Sequence, residues 1–241
     1  KNLSTSLLAR KRPRLDPRMS NPFDNLVEVN DDLKERMLQF ELDCNDGNGN
    51  AYACHSVAEF HAVIYNDHAK AATFLEKNCD GKNNYGASCF KLGRFLIMGK
   101  GVEPDDALAF KRFEKACSLG ISQGCFHLAA MLMEDSPIKD KPRAIATYDK
   151  ACATGDQESC FYFGQHLLNP DLGKLRDPPR AKASLTTSCD AGHAPSCRLL
   201  AVMFKNGDSG VPSDLEKFEE YKRRTEELVI QRGGMMGVRV T

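Results

Sequence analysis

Ten cysteines impose a period on this chain. Cys44, Cys54, Cys79, Cys89, Cys117, Cys125, Cys152, Cys160, Cys189 and Cys197 fall into five neighbouring pairs, two with nine residues between the partners and three with seven. First members recur after 35, 38, 35 and 37 residues, and second members after 35, 36, 35 and 37. A fixed period in this range marks a helical solenoid, in which each unit is one supersecondary element stacked on its neighbours.

The segments between the cysteines carry helical periodicity. In CFKLGRFLIMGKG, Cys89, Leu92, Phe95 and Leu96 fall on one face of a helix that ends in glycine. Asp105 is a natural N-cap for DALAFKRFEKAC, whose Leu108, Ala109, Phe113 and Ala116 form the next apolar stripe. Gly120, Gly155 and Gly192 each stand three residues after a cysteine, where a helix closes on a residue of positive φ. The unit is therefore helix A, variable loop, helix B, glycine turn. Five units are expected, over about 51–81, 85–120, 121–155, 156–192 and 193–231. Their A helices fall near 51–65, 86–98, 122–134, 157–168 and 194–206, and their B helices near 67–79, 105–117, 141–153, 179–190 and 213–231. A helix near 30–43, within a segment 24–50, has the position of an N-terminal cap. The last B helix is charged enough to be wet on its outer side, as a terminal unit requires.

Each seven-residue spacing joins the end of one B helix to the start of the next A helix around the glycine turn. Antiparallel neighbours bring such positions within the reach of a disulfide. Pairing across one unit, such as Cys125 with Cys152, is the rival scheme, and it strands Cys44 and Cys197 at opposite ends of the array. Local pairing uses all ten as 44–54, 79–89, 117–125, 152–160 and 189–197. Closing such short loops stabilises by about 2.6 kcal/mol each, with about 13 kcal/mol for five as the additive upper bound. Disulfides on this scale require an oxidising compartment. Zinc is the runner-up, but paired zinc ligands favour two to four intervening residues and two converging pairs. Redox C-x-x-C and haem-attaching C-x-x-C-H motifs are absent.

The chain's zero net charge hides an asymmetry. Residues 1–18 hold six Lys/Arg and one acid, leaving 27 basic against 32 acidic residues from Met19 onward. That mildly acidic body excludes nucleic-acid backbones as partners, and no apolar stretch approaches the roughly 18 to 20 residues of a membrane span. The Arg-rich, Ser-containing start has the composition of a mitochondrial transit segment. Its rivals are upstream sequence with Met19 as the natural start, a nuclear-import patch at Arg10-Lys11-Arg12-Pro13-Arg14, and a leader without structural role. Residues 1–23 are set aside as leader or disordered N-terminus, and 232–241, which ends in GGMMGVRVT, as a disordered tail.

The units resemble Sel1-like repeats, most clearly in KLGRFLIMGKGVEPDDALAFKRFEKACSLG, through Leu92-Gly93, Gly99-x-Gly101-Val102, Asp105 and Lys115-Ala116. Cysteine-paired Sel1 repeats occur in the bacterial cysteine-rich, β-lactamase-like Hcp proteins and in the mitochondrial cytochrome c oxidase assembly factor 7 family. This chain resembles the second group more closely, with five repeats, ELDCN at Cys44 and longer spacings in the early pairs. The fold implied is all-α, an α/α superhelical solenoid of disulfide-bridged, TPR-like helix-turn-helix repeats. The resemblance implies a soluble protein of the mitochondrial intermembrane space, trapped there by oxidative folding, that serves assembly of respiratory-chain complexes, chiefly cytochrome c oxidase. Expected partners are assembly factors or subunits, copper chaperones and the oxidative import machinery, with the chain itself a monomer. No cofactor is required, although the resemblance extends to haem binding and to disulfide reduction.

Catalytic motifs are weak. Ser88-x-x-Lys91 and Ser136-x-x-Lys139 match the first β-lactamase motif, but S-D-N and K-T-G are missing. Haem needs axial ligands such as a His/Met pair. His127 and Met131, with Met133 nearby, share one helix and cannot face each other across a haem, so the two ligands would have to come from different units, His166 lying one repeat on. Methionine on an A helix is more often core filler, and His55, His61 and His68 read as surface or packing histidines. Two functional classes remain: a scaffold that binds clients on its inner face, with the loop NPDLGKLRDPPR adding specificity, and a thiol–disulfide oxidoreductase with one labile bridge. The scaffold is favoured.

Overall fold

The computed structural model describes residues 31–45 and 49–231. The expected leader, the residues 24–30 ahead of the cap helix, and the tail from 232 lie outside the described residues. The rest is a string of α-helices: α1 (Asp31–Asn45), α2 (Ala51–Val63), α3 (His68–Asp80), α4 (Gly86–Met98), α5 (Asp106–Ser118), α6 (Ser122–Met133), α7 (Lys141–Ala153), α8 (Gln157–Leu168), α9 (Pro178–Asp190), α10 (Ala194–Asn206) and α11 (Leu215–Gln231). No strand forms among the described residues beyond a single bridge between Asp208 and Val211. The even-numbered helices from α2 to α10 are the A helices, and α3 to α11 the B helices.

Local chemistry sets the helix ends. Asp105, Asp140 and Asp177 cap α5, α7 and α9 by accepting the backbone N–H three residues on, and Asp67 does the same for α3. Gly120, Gly155 and Gly192 adopt φ of 84°, 90° and 89° to turn each B helix into the next A helix. A side chain at Gly120 or Gly155 would meet nothing within 4 Å, so the backbone angle alone demands glycine there.

Packing follows from the stripes. Each A helix lies against its own B helix and against the B helix of the unit before it, and the core runs along the array as successive clusters. Gly164 lets α8 press onto α9: a Cβ there would sit 2.6 Å from Leu185 Cγ. A helices of neighbouring units also touch directly, α6 with α8 and α8 with α10. Successive B helices are instead spanned by long side chains. Lys115 Nζ donates to the Cys79 carbonyl at 2.6 Å, Lys150 Nζ to the Cys117 carbonyl at 3.2 Å, and Arg180 pairs with Asp149 at 2.8 Å. Units closer on the A side than on the B side curve toward the A helices, which makes the A face the inner one.

The loop NPDLGKLRDPPR is ordered and anchored: Pro170–Leu175 form a 3-10 helix that buries Leu172, and Arg176 clamps Asp208 of the following unit at 2.6 Å. Leucine at 172 gives the loop an anchor in the core, so its spare length is spent on joining units four and five.

Candidate functional site

Five disulfides mark the junctions. Cys44–Cys54, Cys79–Cys89, Cys117–Cys125, Cys152–Cys160 and Cys189–Cys197 have Cα separations of 4.4 to 4.8 Å, within the range a disulfide needs. The rival pairing of Cys125 with Cys152 is not formed, and no cysteine is free. Cys79, Cys89, Cys189 and Cys197 have no exposed surface, whereas Cys44 and Cys152 are half-buried. The longer Cys79–Cys89 turn is held by Asn78. Its Nδ2 donates to the Ala51 carbonyl at 2.9 Å and to Ser88 Oγ at 2.8 Å, and its Oδ1 accepts from Asn83 at 2.8 Å.

Ser88 therefore sits in a structural network that resembles a catalytic one. Its Oγ lies 2.9 Å from His55 Nδ1, while His55 Nε2 is 3.8 Å from Glu59, itself paired with Lys91 at 2.9 Å. Sequence reading linked Ser88 only to Lys91 and missed His55, which arrives from the preceding unit. A nucleophile must reach its substrate, and Ser88 is fully buried. Unit five repeats the device at the equivalent position. Ser196 Oγ donates to Ser188 Oγ at 2.8 Å and lies 2.8 Å from His193 Nδ1. In units two and five the serine before the second cysteine bonds the polar residue before the first, Asn78 or Ser188; in unit four that residue is Ala151, and the buried Ser159 Oγ has no partner. Ser136 and Lys139 are joined through the backbone, and Lys139 Nζ is engaged by Asp135 at 2.7 Å.

The inner face carries the second arrangement. One residue after the second cysteine, the units read His55, Phe90, Phe126, Phe161 and Arg198; two residues after, they read Ser56, Lys91, His127, Tyr162 and Leu199. In units two to four the first series of one unit meets the second series of the next. Phe90 and His127 have ring centroids 5.5 Å apart, and Phe126 and Tyr162 5.2 Å apart. His127 also stacks on Phe113 at 5.0 Å, and His166 on Tyr148 at 5.4 Å. These rings of the A helices are half-buried, Phe113 and Tyr148 beneath them are fully buried, and all meet at aromatic-pair distances. Burial, with Arg94 nearby, holds the His127 pKa below its ordinary value, and burial alone does so for His166. Toward the start of the array the same face is charged, through Glu59, Lys91 and Arg94.

A haem does not fit this set. Burial favours the uncharged imidazole at His127 and His166, but each lies against an aromatic ring, and Met131 and Met133 share the helix of His127. His166 lines a surface cavity of about 410 Å³ whose other walls, including Gln165, Leu168 and Leu199, supply no soft or imidazole ligand. His61, expected at the surface or in helix packing, is buried against Phe74 on α3, 3.7 Å from Glu41 on α1.

The Sel1 repeat model matches residues 86–121 and 194–217. Cytochrome c oxidase assembly factor 7 of Xenopus tropicalis is 36% identical over 107 residues, covering 42% of this chain and 46% of that protein. The Drosophila melanogaster homolog of the same factor is 31% identical over 96 residues, covering 39% and 34%. The chain thus spans about a third to a half of the length of these curated relatives. A Sel1 repeat protein from Oxalobacter formigenes has the same fold, with a TM-score of 0.72 at 18% identity over 83% of each chain. This chain carries Sel1 repeats in a disulfide-bridged solenoid and is similar to cytochrome c oxidase assembly factor 7 proteins.

Proposed function

We propose that this Sel1-repeat chain is a scaffold of the mitochondrial intermembrane space that holds client proteins on its inner face during respiratory-chain assembly, chiefly of cytochrome c oxidase. The observation that carries the reading is the pairing of all ten cysteines at the unit junctions, which suits an oxidising compartment, in a chain whose curated relatives are named for oxidase assembly. Sel1 repeats bind proteins through extended curved surfaces, and the half-buried rings of the A helices offer such a surface. The expected partners are assembly factors or subunits, copper chaperones and the import machinery that oxidises the cysteines.

Deleting the chain from cells is expected to lower assembled cytochrome c oxidase on native gels, and the tagged chain is expected to become protease-sensitive when only the outer mitochondrial membrane is opened. Normal oxidase levels, or thiols recovered reduced in the cytosol, would contradict the proposal. A redox reading has one foothold. Half-buried Cys44, with Cys54, lines a cavity of about 310 Å³ that also holds Lys77 and Lys82, cations suited to a thiolate.

A further inference from the structure

In the middle of the inner face ring meets ring at equivalent positions of successive units. Phe90 meets His127 and Phe126 meets Tyr162; Phe161 touches His193 at the start of the next A helix, 5.2 Å between ring centroids, but at the position of His127 and Tyr162 it finds Leu199. A branched aliphatic chain is shorter than a ring, and at this step a cavity of about 250 Å³ opens between α8 and α10. Phe161, Gln165, Pro195, Arg198, Leu199 and Val202 line it. The cavity beside His166 shares Gln165 and Leu199 with it, so the two form one cleft.

Arg198 gives the cleft its charge. It occupies the position that phenylalanine holds in the three preceding units, is exposed, and has no carboxylate, ring or hydrogen-bond partner among the described residues. No other lysine, arginine or carboxylate lines either cavity. An apolar slot where the repeat pattern places a ring, beside one unpaired guanidinium, is complementary to an aromatic side chain next to a carboxylate. Offset or edge contact with Phe161 suits a ring, and the planar fork of Arg198 suits a carboxylate.

We propose that the cleft between α8 and α10 docks a partner-protein segment carrying an aromatic side chain followed by an acidic residue, the ring against Phe161 and Leu199 and the carboxylate on Arg198. This deepens the scaffold reading and rests on it, since it assigns the kind of client segment that the inner face selects. The docked ring would take, against Phe161, the place that His127 and Tyr162 hold in the two preceding units.

The test uses the purified full chain and a fluorescein-labelled, amide-capped peptide with one Phe followed by two Asp in a Gly/Ser background, read by anisotropy. Saturable binding is expected, weakened at least tenfold when both Asp become Asn and at least tenfold by Arg198→Glu. Arg198→Lys, which keeps the charge without the fork, is expected to fall between. Leu199→Phe supplies the ring from within and fills the slot; it is expected to weaken binding at least tenfold while Tm stays the same or rises. Absence of saturable binding to the unmodified chain, or equal binding by Leu199→Phe, would overturn the pocket. So would equal occupancy by free 3-phenylpropionate, which would make the cleft a small-molecule site. The assay needs no assembly phenotype. If deletion lowers the oxidase but no peptide binds, the pocket alone fails. If the peptide binds as expected but deletion leaves the oxidase normal, the assembly role fails.

Discussion

Along the inner side the units meet ring to ring, with Phe90 on His127 and Phe126 on Tyr162. Along the outer side they are joined by long side chains, with Lys115 and Lys150 on cysteine carbonyls and Arg143 and Arg180 on the acids Glu114 and Asp149. The inner contacts bury apolar area and gain from shape. The outer ones hold charges in water, where screening and side-chain entropy consume most of the attraction. The array therefore owes its stability to the inner seam and to the disulfides that stitch it, and owes its spacing to the outer ties. Function belongs on the side whose surface varies from unit to unit, charged through Glu59, Lys91 and Arg94, aromatic from His127 to His166 and charged again at Arg198.

The largest loss is expected where the seam is deepest. Phe113 is 1% exposed and packs against Phe90, His127 and Gly93. Replacing it with alanine is expected to cost about 3–5 kcal/mol in denaturant unfolding, and a cost below 1 kcal/mol would mean that the seam is not the core. Cys117→Ser with Cys125→Ser removes a staple from the middle of the array. A loss of about 2–4 kcal/mol is expected, read as a drop in Tm, and an unchanged Tm would make that bridge ornamental. Gly164→Ala drives a methyl into Leu185 and is expected to cost about 1–3 kcal/mol; a neutral result would show that α8 and α9 can separate freely.

Acid probes the inner seam through its histidines. Burial depresses the folded-state pKa of His127 and His166, so protons bind the unfolded chain more readily. Their contribution is full above the unfolded value of about 6.5 and is lost as pH falls from there through the folded values. Tm is expected to decline from pH 7.5 to 5.5, and less steeply in His127→Gln; equal slopes would remove His127 from the account. The smallest effect belongs to the outer side. Arg143→Ala breaks an exposed pair with Glu114 and is expected to cost about 0–1 kcal/mol, less in high salt. A larger, salt-independent loss would reverse the comparison between the two sides.

Much of this fold was legible because the period is written in cysteine and glycine. Asp105 capped the helix it was expected to cap, and the glycines after Cys117, Cys152 and Cys189 adopt positive φ. The misses lie where contacts cross between units. Leu172 in a polar loop gave no periodic signal, yet it anchors a 3-10 helix. His55 reaches Ser88 over 33 residues, a juxtaposition that no local window displays. The Phe161–Leu199 cleft was hidden for the same reason, although aligning the units by their second cysteines sets Arg198 against Phe90, Phe126 and Phe161 and would have drawn the eye to it.

The central claim, that the five bridges are structural staples of a binding scaffold, is tested most directly by titrating the intact protein against glutathione redox buffers and mapping the opened pairs by mass spectrometry. All five neighbouring pairs are expected to resist, with potentials below about −300 mV, and the fully buried Cys79–Cys89 and Cys189–Cys197 are expected to open last under stronger reductants. A single pair opening reversibly within the glutathione range, with the fold intact, would contradict the claim and make that pair a working redox centre.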